Sequence, residues 1–387
     1  MFKQVFKREV NRIISRPLYL ILVLILPLVG FTFFVSFFQK GKPTDLPIAI
    51  CDLDNSVMSR NLVSMIDATP TCKVDFKVTS AEEGHKLIRT GEVYAMVVIP
   101  KNLEKDIYRS NSPQVKNYYN NSYLIAGGLL SKDIVTAVST LSAGINIGIR
   151  QKKSENYKQA LASVIPVKLD EHILFNPYTN YFYYLIVCML PFILQLFVLL
   201  ISIYSIVVEL KYSTVDKWLE TAGGNIFTAV IGKFAPYTIV YIVVMLFMNT
   251  LMYSFFEIPL QGSTFVIIIA GFLFILAYQF IAIFIVTLRP FTAETLSLGA
   301  GFGSMAFTFS GLTFPYEAMP AFSQGFASIF PFSHYLKIVV EQSLRGFSVF
   351  SSLSSLGILS IFILIPLLLL PIFKKRIVKQ SELNKLA

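Results

Sequence analysis

Leu18 to Phe38 reads LYLILVLILPLVGFTFFVSFF and carries no charge. A helix crosses a bilayer with roughly 20 apolar residues, so this run is predicted to span one. The order of the segments after it decides the architecture. A long polar island, Gln39 to Tyr178, comes first, and five further apolar runs come after: Tyr181 to Val208, Phe234 to Ser254, Thr264 to Leu288, Leu296 to Phe314 and Leu353 to Phe373. The run at 296–314 is short, and Gly299, Gly301, Gly303 and Gly311 suit it to close helix packing. The expected fold is therefore a membrane protein, an all-α six-span domain with an inserted α/β domain. Its boundaries are 1–38 for the N-terminal helix and first span, 39–178 for the island and 179–387 for spans two to six. The composition agrees, with 55% hydrophobic and only 14% charged residues.

Orientation follows from flanking bases, since short positive segments stay in the cytoplasm. Lys3, Lys7, Arg8, Arg12 and Arg16 precede the first span, and Lys374, Lys375, Arg376, Lys379 and Lys385 follow the last. Both termini are expected in the cytoplasm and the island outside it, in a multi-pass protein of a bacterial inner membrane. These ten bases equal the whole net charge of +10, so the basic balance is topological and predicts no nucleic-acid partner. The first span has two readings, a cleaved signal peptide or an uncleaved anchor. Its length and its end at Phe37-Phe38-Gln39-Lys40, without small residues, favour the anchor. Upstream, Phe2, Val5, Phe6, Val10, Ile13 and Ile14 recur at helical spacing between bases, as in a helix lying in the membrane interface.

In the island, β-branched runs alternate with amphipathic stretches. Strands are predicted at 47–51, 73–78, 93–99 and 114–119, and helices at 55–67, 81–89 and after Pro100. One long helix is predicted from Tyr123 to Ile165, stopped by Pro166, before Lys168 to Tyr178 leads back to the membrane. Asp52-Leu53-Asp54 superficially matches the start of an aspartyl-phosphate phosphatase site, but acidic residues also cap helices after strands, and no supporting acidic pair and lysine stand nearby. No catalytic residue is predicted. Three cysteines are too few for a disulfide scaffold, and Cys51 and Cys72 are left open as a pair. His85 and His172 are isolated, so no metal site is expected.

Between spans two and three runs a charged stretch, Glu209 to Gly224. Ser213 with Asp216 resembles a capping box. Val215, Trp218, Leu219 and Ala222 would share one face of a short helix that Gly223 closes in a left-handed conformation. A helix this short needs something to dock against. Either Trp218, the only tryptophan, anchors at the lipid interface, or the apolar face fits a groove on a cytoplasmic partner. Gln195, Asn249 and Gln279 fall inside the apolar runs, as helix-to-helix hydrogen bonds or as part of a cargo path. The stretch 315–346 is too polar to span yet rich in phenylalanine, and reads as short re-entrant helices.

Several motifs in order resemble the ABC-2 type exporter permeases with a large extracytoplasmic domain. They are Ile50-Cys51-Asp52-Leu53-Asp54-Asn55-Ser56 with Ser59-Arg60-Asn61-Leu62-Val63, Tyr94 to Pro100, and Glu209-Leu210-Lys211-Tyr212-Ser213-Thr214. Gly311-Leu312-Thr313-Phe314-Pro315 with Met319-Pro320, Pro331-Phe332-Ser333-His334-Tyr335 and Arg345-Gly346 complete the set. Tyr212 and Gly223-Gly224 depart from the family pattern. The resemblance implies a transport subunit paired with a second permease copy, identical or paralogous, and driven by cytoplasmic ABC ATPases. The coupling helix would present Glu209, Lys211, Thr214, Val215, Lys217, Trp218, Leu219 and Glu220 to the ATPase. No phosphate-binding loop of the G-x-x-x-x-G-K-[ST] type occurs, so the chain is expected to bind no cofactor, with ATP and Mg on the partner. The cargo implied is hydrophobic or amphiphilic, and an extracytoplasmic adaptor is a further candidate partner. A membrane-anchored sensor or scaffold without transport is the alternative.

Overall fold

The computed structural model describes the chain except residues 40, 154, 155, 168, 169, 171, 173, 177–179, 291, 313 and 387. Much of the predicted return from the island, 168–178, and the motif residue at 313 thus lie outside the described residues. The chain divides into two compact units, Met1–Gly41 with Ile173–Ala387, and Lys42–His172.

The first unit is helical. Helix α1 (Phe2–Ser15) is followed by α2 (Pro17–Phe38), whose turn at Ile21–Ile25 is a π-helix. Pro27 lacks an N–H and crowds the carbonyl four residues back, and the wider turn just upstream accommodates it. Three long apolar helices come later in the chain, Tyr181–Lys211, Ile226–Phe255 and Thr264–Leu288. The helix Thr292–Thr308 has 17 residues, about 26 Å, the lower end of the length that crosses a bilayer. The expected last span is interrupted. Val349–Leu368 ends at Leu369 and a separate helix, Leu370–Leu386, begins with Pro371 in its first turn, where a proline is tolerated. Helices Tyr181–Lys211 and Val349–Leu368 both pack on Thr264–Leu288, and α1 lies along Ile226–Thr250. Between 315 and 346 the chain forms short helices, of which Pro331–Val339 continues into a π-helical turn, Val340–Arg345. Phe330, Phe332 and Tyr335 anchor this segment in the core, while Phe322 stays exposed.

The second unit is an α/β domain. Strands β1 (Leu46–Asp52), β2 (Cys72–Lys77), β3 (Ala95–Ile99) and β4 (Lys116–Tyr119) order as β2-β1-β3-β4, with β4 the only antiparallel member. Helices Val57–Asp67, Ala81–Thr90 and Leu103–Tyr108 connect them. One sheet face packs Ile48, Ile50, Cys72 and Val97 against Leu130 and Ile134, and the other packs Ala49, Cys51 and Met96 with Val78 and Val93. Cys51 and Cys72 therefore sit on opposite faces, both free, and cannot pair. The long predicted helix is two, Leu124–Lys152 and Tyr157–Val164, because Asn156 and Gln159 form a capping box that starts the second. Among the described residues, Leu124–Lys152 is by length and composition one of six helices apolar enough to cross a membrane, beside α2, Tyr181–Lys211, Ile226–Phe255, Thr264–Leu288 and Val349–Leu368. Its Leu130, Ile134 and Ala137 are committed to the sheet.

Candidate functional site

The short helix predicted after Glu209 forms over Val215–Thr221, and its geometry differs from the expected capping box. Ser213 is left-handed, with φ 52°, and Thr214 rather than Ser213 occupies the cap position. The Thr214 hydroxyl turns instead to the Glu209 carboxylate, donating to Oε2. Gly223 and Gly224 do close the helix in left-handed conformations, φ 68° and 74°, and the Gly224 N–H bonds the Leu219 carbonyl at 2.8 Å.

The apolar face docks on the chain itself. Val215, Trp218 and Ala222 are fully buried and Leu219 nearly so, and the Trp218 indole N–H donates to the Ala229 carbonyl at 3.2 Å. The apolar face that was to fit a groove on a partner is thus covered by this chain's own helices.

Beneath the helix lies a buried charge cluster. Lys233, fully buried in Ile226–Phe255, donates to Glu9 Oε1 at 2.8 Å, Glu209 Oε1 at 2.9 Å and the Ser205 carbonyl at 3.2 Å. Its ammonium stands 4.7 Å from the centre of the Trp218 ring, within cation–π range. Glu209 also receives Arg8 Nη2 and Arg12 Nη1, each at 2.7 Å. Glu9 receives Arg12 at 3.2 Å and the Tyr237 hydroxyl at 3.4 Å. Burial by itself would lower the Arg12 pKa, but the Glu9 and Glu209 carboxylates outweigh it and raise it above the ordinary arginine value. Three cations face two carboxylates, and α1, Tyr181–Lys211 and Ile226–Phe255 each contribute.

Glu9 is reached because α1 turns Val5, Glu9 and Ile13 inward, one position per helical turn. Of the apolar residues predicted for that stripe, Phe2 and Ile14 are exposed. The C-terminal helix meets the same place from another side. Lys385 pairs with Asp216, Asn384 Nδ2 donates to the Leu210 carbonyl at 3.2 Å, and Lys374 Nζ donates to the Gly224 carbonyl at 2.6 Å. Both ends of the chain thus converge on helix 215–221, while Lys211, Lys217 and Glu220 point away, exposed.

A transmembrane bundle with a short, doubly clasped helix between two spans narrows the class, and the family model of the ABC-2 family transporter protein matches residues 17–370. The chain belongs to that family. None of the curated proteins matches it. As a membrane component of an ABC-2 transporter it is a transport subunit, and its other polar residues read accordingly. Gln195 donates through Nε2 to the Gly303 carbonyl at 3.0 Å and Gln279 accepts from Thr238 at 2.8 Å, both helix-to-helix bonds. Asn249 is half-buried, and its side-chain atoms have no partner among the described residues. The Asp52/Asp54 pair is structural. Asp52 accepts from the backbone N–H groups of Asp54 and Asn55 and from Ser59 Oγ, and Asp54 accepts from the Glu104 N–H at 3.2 Å.

Of the sequence-predicted coupling residues, Glu209, Thr214, Val215, Trp218 and Leu219 come together around the cluster, and Lys211, Lys217 and Glu220 do not. Sequence reasoning missed Glu9, Arg8, Arg12, Lys233 and Tyr237 as a site. The available signals were one acid among the bases of α1 and one lysine inside an apolar helix.

Proposed function

We propose that this chain is the permease subunit of an ATP-driven exporter, paired with a second permease copy and moving a hydrophobic or amphiphilic cargo outward. A separate cytoplasmic ABC ATPase docks on the exposed side of helix 215–221 through Lys217 and Glu220, with Lys211 beside them at the end of the preceding span. The termini lie in the cytoplasm and the unit 42–172 outside the inner membrane, where an adaptor is its natural partner. The observation that carries this reading is the division of the helix into two faces. Its buried face is tied by Glu209, Lys233, Glu9 and two arginines to α1 and two spans. A push on its charged outer face therefore moves those elements together as a rigid body.

The test is purification from the native membrane in mild detergent, comparing the wild type with the double variant Lys217→Glu/Glu220→Lys. An ABC ATPase co-purifies with the wild type and is lost from the variant, whose thermal unfolding is unchanged because both positions are exposed. An ATPase retained at wild-type levels by the variant would overturn the docking face. Absence of any ATPase from the wild type would overturn the function.

A further inference from the structure

At the far end of the bundle from the charge cluster lies a cavity of about 720 Å³. Val187 and Tyr184 on helix Tyr181–Lys211 line it, whereas Glu209 lies 22 residues further along, about 33 Å by helical rise, which is one hydrocarbon thickness. Cavity and cluster thus occupy the two opposite membrane interfaces.

One helix face supplies the chemistry. Lys337, Val340, Glu341, Leu344 and Arg345 all line the cavity, at spacings of three and four, so positive, negative and positive groups alternate with apolar ones along a single stripe. The Glu341 carboxylate is the deepest of these, 6% exposed. It accepts from Ser352 Oγ at 3.2 Å and stands 4.0 Å from Lys337 Nζ, which leaves acceptor capacity on a buried charge beside open space. Lys337 and Arg345 are exposed. Leu336 and Ile358 extend the apolar wall, and Glu317 adds a second acid, so two acids meet two bases. A cavity of this size fits a drug-sized amphiphile or the head and upper chain of a lipid.

We propose that this cavity binds a zwitterionic phospholipid bearing a primary ammonium, drawn from the surrounding bilayer. The ammonium donates to Glu341, the phosphate lies between Lys337 and Arg345, and the upper acyl chain runs along Val340, Leu344 and Ile358. A purely anionic lipid would leave Glu341 facing like charge. A quaternary ammonium would offer it no N–H. The site goes beyond the transport reading and does not depend on it.

The experiment is native mass spectrometry of the full chain exchanged into nanodiscs of equal phosphatidylethanolamine, phosphatidylcholine and phosphatidylglycerol. One phosphatidylethanolamine per chain should be retained, about tenfold over either competitor, the worth of one charge-assisted hydrogen bond. Glu341→Gln keeps the shape and the Ser352 contact and should abolish the preference. Ile358→Trp narrows the wall along which the acyl chain runs and should lower the amount of lipid retained. Soluble phosphoethanolamine should not displace it, because the walls hold the chain. Equal retention of the three lipids by the wild type overturns the proposal, whatever the variants' folding, and so does undiminished retention by Ile358→Trp. Displacement by soluble phosphoethanolamine would overturn the lipid in favour of a free head group. None of these outcomes touches ATPase co-purification, so failure here and failure of the transport reading are distinguishable.

Discussion

Neutralising Glu209 should cost far more than removing Lys233, although the two touch each other. In the cluster Arg8, Arg12 and Lys233 face Glu9 and Glu209, one cation in excess. Glu209→Gln preserves volume but leaves the fully buried Lys233 and two partly exposed arginines around a single carboxylate, and stranding buried charge costs about 3–5 kcal/mol. Lys233→Met leaves two guanidinium groups with two carboxylates, a balanced set. Glu209 keeps both arginines at 2.7 Å, and Glu9 keeps Arg12 at 3.2 Å, so the loss is about 1–2 kcal/mol of charge-assisted bonding. At about 2 °C per kcal/mol for a unit of this size, Glu209→Gln should lower the melting temperature by roughly 6–10 °C and Lys233→Met by roughly 2–4 °C. Thermal unfolding of the purified protein followed by tryptophan emission measures this at the right place, because Trp218 is the only tryptophan and Lys233 stands over its ring. If Lys233→Met is as damaging as Glu209→Gln, or if Glu209→Gln melts within about 1 °C of wild type, charge balance does not govern the cluster.

Packing and burial set two other outcomes. A Cβ at Gly232 would stand 2.8 Å from Cβ of Val5, a branched and fully buried side chain of α1, so Gly232→Ala should destabilise by about 1–3 kcal/mol. It should also free α1, read as faster tryptic release of the N-terminal peptide than in the wild type. Burial raises the thiol pKa of both Cys51 and Cys72, which lowers their thiolate fraction at any given pH. Both should resist iodoacetamide at pH 8 until the protein is denatured, and then alkylate fully without prior reduction, as mass spectrometry of the peptides would show.

The α/β unit was legible because its signals are local. Alternating burial within β2 and the Ser56 and Ser80 caps, each accepting from a backbone N–H three residues on, are written in contiguous residues. The break before Tyr157 was equally local, in Asn156 and Gln159, but a continuous apolar stripe outweighed it. The charge cluster is different in kind. Lys233 and Glu9 are 224 positions apart, and no periodicity links them. Starting the third span at Phe234 set Lys233 outside it, whereas the helix begins at Ile226 and buries the lysine fully. The apolar face of helix 215–221 was read correctly from spacing, but spacing carries no information on what covers that face.

What the cluster contributes is register more than stability. A buried ion network seldom outperforms a well-packed apolar set of the same volume, since desolvating each charge costs several kcal/mol. Among the apolar contacts of α1 along Ile226–Thr250, the close fit of Val5 on Gly232 already favours one alignment, and the ion pairs sharpen it. With Glu9 held between Lys233 and Arg12, any slide of one turn strands a carboxylate in the core. The same holds for Glu209 at the end of its span, gripped by Arg8 and Arg12 from α1. The three helices thus have one low-energy alignment and no graded alternatives. That is the property a transmitting element needs under the proposed function, because a soft joint would absorb the displacement of helix 215–221 before it reached the spans.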